Sequence, residues 1–408
     1  MIKKIMILGA SILQLPAITK AKEMGLLPVV VDMNPDAVGL KEDGIIKEII
    51  STIDTPALLK AAKAHKIDGI MTLATDMPMR SVAAIAKEMG LIGISDETAI
   101  KATNKAAMRH ALQQHHVPIP NFFRVETLNE YLEAVQSFHN PFIVKPADSS
   151  GSRGIFKIPD ASDTELVMQA YHYSKQFSRS GELVVEDYMV GPEVSVETLS
   201  VDGVCHVIQI TDKITTGAPH FVEMGHSQPS QLSDEICDKI REIAIAANHA
   251  IGIESGPSHT EMIVTAEGPK IVELGARLGG DCITTHLVPL STGVNMVECC
   301  IRIALGEKID VTPVYHKGSA IRYFHQKAGT VKAITGVEEA QNIPGVRQIS
   351  IVHGAGEKIT EIQSSGDRMG FVISQNDDAQ CAVKSCEKAL DTICVQIDPP
   401  DPVYAGIE

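Results

Sequence analysis

The stretch Glu261-Met262-Ile263-Val264-Thr265-Ala266-Glu267-Gly268-Pro269-Lys270-Ile271-Val272-Glu273-Leu274-Gly275-Ala276-Arg277-Leu278-Gly279-Gly280-Asp281 decides how the chain is read. Two apolar runs flank the turn signal Ala266-Glu267-Gly268, so the spacing predicts a β-hairpin with Glu261 and Glu273 on facing positions. Carboxylates held that close repel, and a hard divalent cation relieves the repulsion; Mg²⁺ in particular takes one or two carboxylates plus substrate phosphates. Arg277, four residues beyond Glu273, has a planar fork suited to those phosphates. Gly279 and Gly280 let backbone approach a ligand. Taken alone, the two acids also fit an exposed edge hairpin.

Three further stretches carry related chemistry. Lys145-Pro146-Ala147-Asp148-Ser149-Ser150-Gly151-Ser152-Arg153-Gly154 ends a strand on a lysine and runs on in small residues. That suits a loop whose backbone N–H groups cover anionic oxygens; its spacing is not a P-loop, and an ordinary turn has similar composition. In Glu186-Asp187-Tyr188-Met189-Val190-Gly191-Pro192-Glu193, backbone groups can pair with an adenine edge and a second acid with ribose hydroxyls, although Gly-Pro is also common turn punctuation. Phe221-Val222-Glu223-Met224-Gly225-His226-Ser227-Gln228-Pro229-Ser230 reads as a loop. There Glu223, His226 and Ser230 either read a substrate or, in the case of His226, satisfy the structure.

The first hundred residues alternate apolar runs (Ile5 to Leu8, Pro28 to Asp32, Gly69 to Leu73) with amphipathic ones (Gln14 to Met24, Thr55 to His65, Pro78 to Met89). This predicts a parallel sheet with right-handed crossovers, a Rossmann-like domain. Its first loop, Gly9-Ala10-Ser11-Ile12-Leu13-Gln14, lacks G-x-G-x-x-G, which argues against a dinucleotide and leaves Asp32 as a strand-end acid or cap. Ala74-Thr75-Asp76, at a carboxyl edge of the sheet, is a substrate-site candidate. A helical segment, Lys101 to His116, leads to Val117-Pro118-Ile119-Pro120. Hairpin-like runs then predict an antiparallel sheet, and Ser233 is the expected N-cap of a helix bearing Ile236, Ile240, Ile243, Ala247 and Ile251 on one face.

At 408 residues, and roughly 100 to 200 residues per domain, two to four domains are expected. The balance of 36 Lys+Arg against 51 Asp+Glu gives −15, which argues against nucleic acid or an anionic membrane as partner. Eight cysteines without a CxxC pair suit reduced thiols in a cytoplasmic protein. The N-terminal apolar run stops at Gly9, too short for a signal segment or a span.

Together, in this order, the four stretches resemble the ATP-grasp superfamily from about residue 105 to residue 304. The resemblance implies ATP and Mg²⁺ as cofactors, with Lys105 and Lys145 on the ATP phosphates and residues 149–154 (Ser149, Ser150, Gly151 and Ser152 among them) as a flexible lid. It further implies Glu186 to Met189, with Tyr188, as the adenine hinge, Glu193 on ribose, Glu261 and Glu273 on Mg²⁺, and Arg277 with Lys145 as catalytic groups on the transferring phosphoryl. A narrower resemblance is to the L-amino acid ligases, whose Glu-x-Gly-His-x-x-Pro-Ser loop contributes to an acceptor pocket; it is matched by Glu223 to Ser230, with Gly279 and Gly280 also set against substrate. Gly275 departs from the pattern, since many members carry Asn there.

The fold class expected is α/β and α+β. A Rossmann-like domain would cover residues 1–100, an ATP-grasp lid subdomain with linker helix 101–185, a large ATP-grasp subdomain with the metal site 186–317, and a C-terminal α+β region with a tail 318–408. The function implied is ADP-forming ligation of a carboxylate to an amine through an acyl phosphate, with small-molecule substrates and a homodimer as the implied assembly. The alternatives are a glycinamide ribonucleotide synthetase-like ligase and a non-catalytic ATP-binding protein.

Overall fold

The computed structural model describes residues 2–149 and 151–399; the expected lid residue Ser150 and the tail expected beyond residue 399 lie outside them. The chain divides into two compact units, one formed by Met1–Ile210, Leu232–Pro289 and Val294–Pro313, the other by Thr211–Gln231, Leu290–Gly293 and Val314–Glu408. No single helix among the described residues is long and apolar enough to cross a membrane.

In the first unit, strands β1 (Lys4–Leu8), β2 (Leu27–Val31), β3 (Ile46–Glu48) and β4 (Gly69–Met71) form a parallel sheet of order β3-β2-β1-β4. Alternate residues of β1 serve opposite cores: Met6 and Leu8 pack with Leu58, Val82 and Ile85, while Ile5 and Ile7 pack with Ala17, Ile18 and Ile301. Burial on both faces is what a parallel sheet requires. Asp32 accepts from the Ala10 and Asn34 amides, which explains this strand-end acid as structural.

The expected single helical segment over 101–116 is two helices, Asp96–Thr103 and Lys105–Gln114. Asn104 breaks them with an extended backbone, and its side chain caps the second by accepting from Ala107 N. A second sheet follows, of β5 (Phe122–Val125), β6 (Phe142–Pro146), β7 (Phe156–Ile158) and β8 (Leu183–Asp187), antiparallel in order β5-β8-β6-β7. The third contains β9 (Glu193–Val201) and the start of β10 (Val204–Thr215). After β11 (Glu223–Gln228), which belongs to the second unit, it is completed by β12 (Gly256–Thr265) and β13 (Gly268–Gly275), giving the order β13-β12-β9-β10. Ser233 caps the helix Asp234–Ile251 by position, without a side-chain hydrogen bond.

The second unit pairs the end of β10 with β11, and β11 in turn with β14 (Gly318–Tyr323). The expected loop over 221–230 is therefore largely strand. Its Gly, His and Ser residues read as a turn, but cross-strand pairing with Asp212 to Thr215 and Ser319 to Arg322 overrides that preference. The remaining strands are β15 (Gly329–Thr335), β16 (Val346–Ile351), β17 (Lys358–Ile359), β18 (Gly370–Asn376) and β19 (Cys394–Asp398), covered by the helix Ala379–Thr392.

Candidate active site

The predicted hairpin forms, with Thr265 paired to Gly268 and Ala266-Glu267 as its turn. Register then creates two rows across β9, β12 and β13. Ser195, Glu261 and Glu273 stand directly opposite one another, as do Glu197, His259 and Gly275. Residues two apart on a strand share a face, so three glutamates and a histidine converge on one side of the sheet.

Each acid has a built partner. Lys105 Nζ, at the first turn of its helix, donates to Glu273 Oε1 at 3.1 Å and to the Ser149 carbonyl at 2.6 Å. His259 Nε2 lies 3.1 Å from Glu261 Oε1, and Nδ1 lies 2.7 Å from Glu197 Oε1. Burial would lower the His259 pKa, but Glu197 and Glu261 push it up to about 9. Arg277 donates from Nε and Nη2 to the two oxygens of Asp76, at 3.1 and 3.2 Å. Burial opposes its charge, yet Asp76 first, then Glu261 and Glu273, hold its pKa above the ordinary arginine value. The candidate Asp76 thus reaches the same cluster as the two hairpin acids.

Gly275 and Gly279 are bare for reasons of space. A Cβ on Gly275 would lie 2.7 Å from Asp76 Oδ1 and 3.2 Å from Arg277 Cζ; one on Gly279 would lie 2.7 Å from His259 Nδ1. Gly280 has only Ala74 nearby, at 3.7 Å.

A second cluster lies between β6, β8 and the helix Lys105–Gln114. Lys145 Nζ donates to Glu186 Oε1, and Arg109 grips the same carboxylate from Nε (3.0 Å) and Nη2 (3.3 Å) while also donating to the Val272 carbonyl at 2.8 Å. All three side chains are almost fully buried. Burial, helped by Arg109 and Lys105, lowers the Lys145 pKa against the pull of Glu186. Burial alone would raise Glu186, but Arg109 and Lys145 hold it down. The side chain of Glu186 is thus committed to cations, which leaves the strand end's backbone for the expected adenine hinge. Tyr188 lies beneath Lys157, whose Nζ is 3.8 Å from the ring centre, and Met189 is half-buried beside it. Glu193 opens β9 opposite Ile263. Gly151 and Ser152 form a turn with left-handed backbone, φ 68° and 57°.

In the second unit, Glu223 Oε2 accepts from Ser365 Oγ at 3.3 Å, and Ser230 Oγ donates to Asp212 Oδ1. His226 is buried, and its carbonyl accepts from Arg322 Nη1 at 3.0 Å. Arg322 lies across Gly225, where a Cβ would meet Cδ and Nη1 at 2.8 Å.

Sequence reasoning missed Arg109, Glu197 and His259. Arg109 follows Lys105 by four on one helical face, and Glu197 and His259 each stand two residues from another polar group, Ser195 and Glu261, on the same strand face; those spacings were the available signals.

The donor set fits Mg²⁺. Glu261 and Glu273 offer oxygens on side chains 24% and 28% exposed. Among the described residues no group of three or more His, Cys, Asp or Glu is placed to hold an ion alone. Two carboxylates awaiting phosphate oxygens are what Mg²⁺ takes, and a zinc site would bring its own nitrogen or sulfur ligands.

Two parts of the chain match known protein families. Residues 138–285 match the ATP-grasp domain family, and residues 322–398 match the L-amino acid ligase C-terminal domain 2. The chain is 24% identical over 345 residues to an L-arginine-specific L-amino acid ligase of Bacillus subtilis, covering 81% of each. It is also 24% identical over 411 residues to a phosphoribosylamine–glycine ligase of Methanococcus maripaludis, covering 92% of this chain and 89% of that one. The solved L-amino acid ligase of Bacillus licheniformis shares the fold, with a TM-score of 0.82 at 24% identity over 97% of this chain and 99% of that one.

The protein is thus an ATP-dependent, ADP-forming carboxylate-amine ligase served by ATP and Mg²⁺, with an ATP-grasp domain at residues 138–285. Within that class, its C-terminal region is of the L-amino acid ligase type.

Proposed function

We propose that the enzyme phosphorylates the carboxylate of an amino acid and joins the acyl group to the amine of a second. The observation that carries this reading is the row Glu261–Glu273 with Lys105 bound to one end and Arg277 in the field of both acids. Phosphoryl transfer asks a protein for positioning and charge neutralisation, and these groups provide both.

In this reading Lys105 and Lys145 bind the triphosphate, Glu261 and Glu273 hold Mg²⁺, and Arg277 bears on the migrating phosphoryl. Bound Mg²⁺ supplies charge neutralisation on the phosphate oxygens. Lys105 sits on Glu273 until phosphates draw it away, and Lys145 leaves Glu186 with Arg109 still in place to keep that carboxylate paired. Glu223, His226 and Ser230 are assigned to the acceptor side, Glu186 to Met189 to adenine, Glu193 to ribose, and residues 149–154 to the lid.

Amino acids are favoured over a sugar phosphate by the apolar wall that Arg277 shares with Ile70, Met79, Val82, Ile94 and Ile303. That wall suits an apolar side chain and offers a second phosphate no further cation. The match at residues 322–398 and the arginine-specific relative support the same choice. The cysteines are unbridged, which supports a reducing, cytoplasmic setting. A phosphate-release screen over amino-acid pairs with ATP and Mg²⁺ tests the reading: pair-dependent ADP formation is expected, and turnover only with phosphoribosylamine and glycine would move the enzyme to nucleotide metabolism.

A further inference from the structure

Metal binding by Glu261 and Glu273 uses two of the three acids on the site face. The third, Glu197, is completely buried, and its Oε2 has no hydrogen-bond partner. Its Oε1 accepts from Ser195 Oγ at 3.1 Å and faces His259 Nδ1 at 2.7 Å. The other ring nitrogen of His259 faces Glu261 Oε1 at 3.1 Å. A carboxylate on each side asks the ring to donate at both edges, and a ring held at both edges cannot turn. Gly279 closes this arrangement, since a Cβ there would lie 2.7 Å from His259 Nδ1 and 2.8 Å from Glu197 Oε2.

We propose that Glu197 and His259 are positioning residues that fix Glu261 in its metal-binding orientation, with Gly279 bare so that the pair fits; this rests on Glu261 being a metal ligand. Glu197 has no surface open to solvent, so its role reaches the site through the groups it touches, the His259 ring first among them. Partners that orient a ligating side chain typically contribute 10- to 100-fold in metal affinity.

The test is Mn²⁺ binding to the full chain with a non-hydrolysable ATP analogue, followed by electron paramagnetic resonance. His259→Ala should weaken Mn²⁺ about 10- to 100-fold, His259→Gln should recover part of the loss, and Glu197→Gln should fall between. In a Glu261→Gln background, His259→Ala should have no further effect, which a merely structural role would not produce. If His259→Ala fails to fold by circular dichroism, Glu197→Gln and Gly279→Ala report the same quantity. Mn²⁺ affinity within twofold of the parent in these variants overturns the inference. Unchanged affinity in Glu261→Gln itself overturns instead the metal reading on which it rests.

Discussion

Two ion clusters in the larger unit are built with opposite signs. Arg109, Lys145 and Glu186 set two cations around one carboxylate, whereas Glu197, Glu261 and His259 set two carboxylates around one ring. Buried ion pairs gain little over apolar packing even when balanced, so a surplus charge of either sign weakens the fold. Under the proposed function each surplus would be relieved by a ligand of the opposite sign: a polyphosphate at the first, a divalent cation at the second. In the proposed reading the difference makes these clusters halves of one site for a nucleotide with its metal, and each half can be broken separately.

The largest effect is expected at Arg277, which lies in the field of Glu261 and Glu273 and is assigned to the migrating phosphoryl. Arg277→Lys keeps a charge and loses the fork; ADP release with the pair identified by the screen should fall by about 10³-fold or more. On the cationic side, Arg109→Met leaves Glu186 to Lys145 alone and should cost about 3–5 kcal/mol in urea denaturation. Lys145→Met should cost less stability, because Arg109 still pairs Glu186, while abolishing most turnover. Equal stability losses in the two variants would show that Arg109 is not the permanent counter-ion.

The anionic side predicts a pH dependence in metal-free protein. His259 titrates near 9 when folded and near 6.5 when unfolded, so folding raises its pKa. Its stabilisation is then complete below pH 6.5 and is lost as pH rises toward 9, an effect on the order of a few kcal/mol. Denaturation midpoints across that range should fall for the parent and fall less for His259→Gln; parallel curves would contradict the charge assigned to this cluster. The smallest effect is expected at Gly275→Ala. Its Cβ, 2.7 Å from Asp76 Oδ1, obliges the Asp76–Arg277 pair to shift at a cost of about 1 kcal/mol, with a loss in kcat/KM of roughly tenfold.

What could be read from the sequence was local. Ala266-Glu267-Gly268 between two apolar runs gives the hairpin and its facing acids, and the succession of apolar runs such as Ile5 to Leu8 and amphipathic ones such as Thr55 to His65 gives the parallel sheet. Groups that meet across the chain were not legible: Arg109 finds Glu186 77 residues away, and Glu197 finds His259 62 residues away. Tertiary pairing also decided β11, whose composition alone reads as a turn. Gly275 shows a different limit. As a sequence it is a missing side chain, and only the nearby Asp76 carboxylate gives the physical reason.

The most direct test of phosphoryl passage to a carboxylate is turnover with an acid labelled with ¹⁸O in both carboxylate oxygens. One labelled oxygen per amide formed should appear in inorganic phosphate, with ADP as the nucleotide product. Unlabelled phosphate, or label in AMP, would contradict the account.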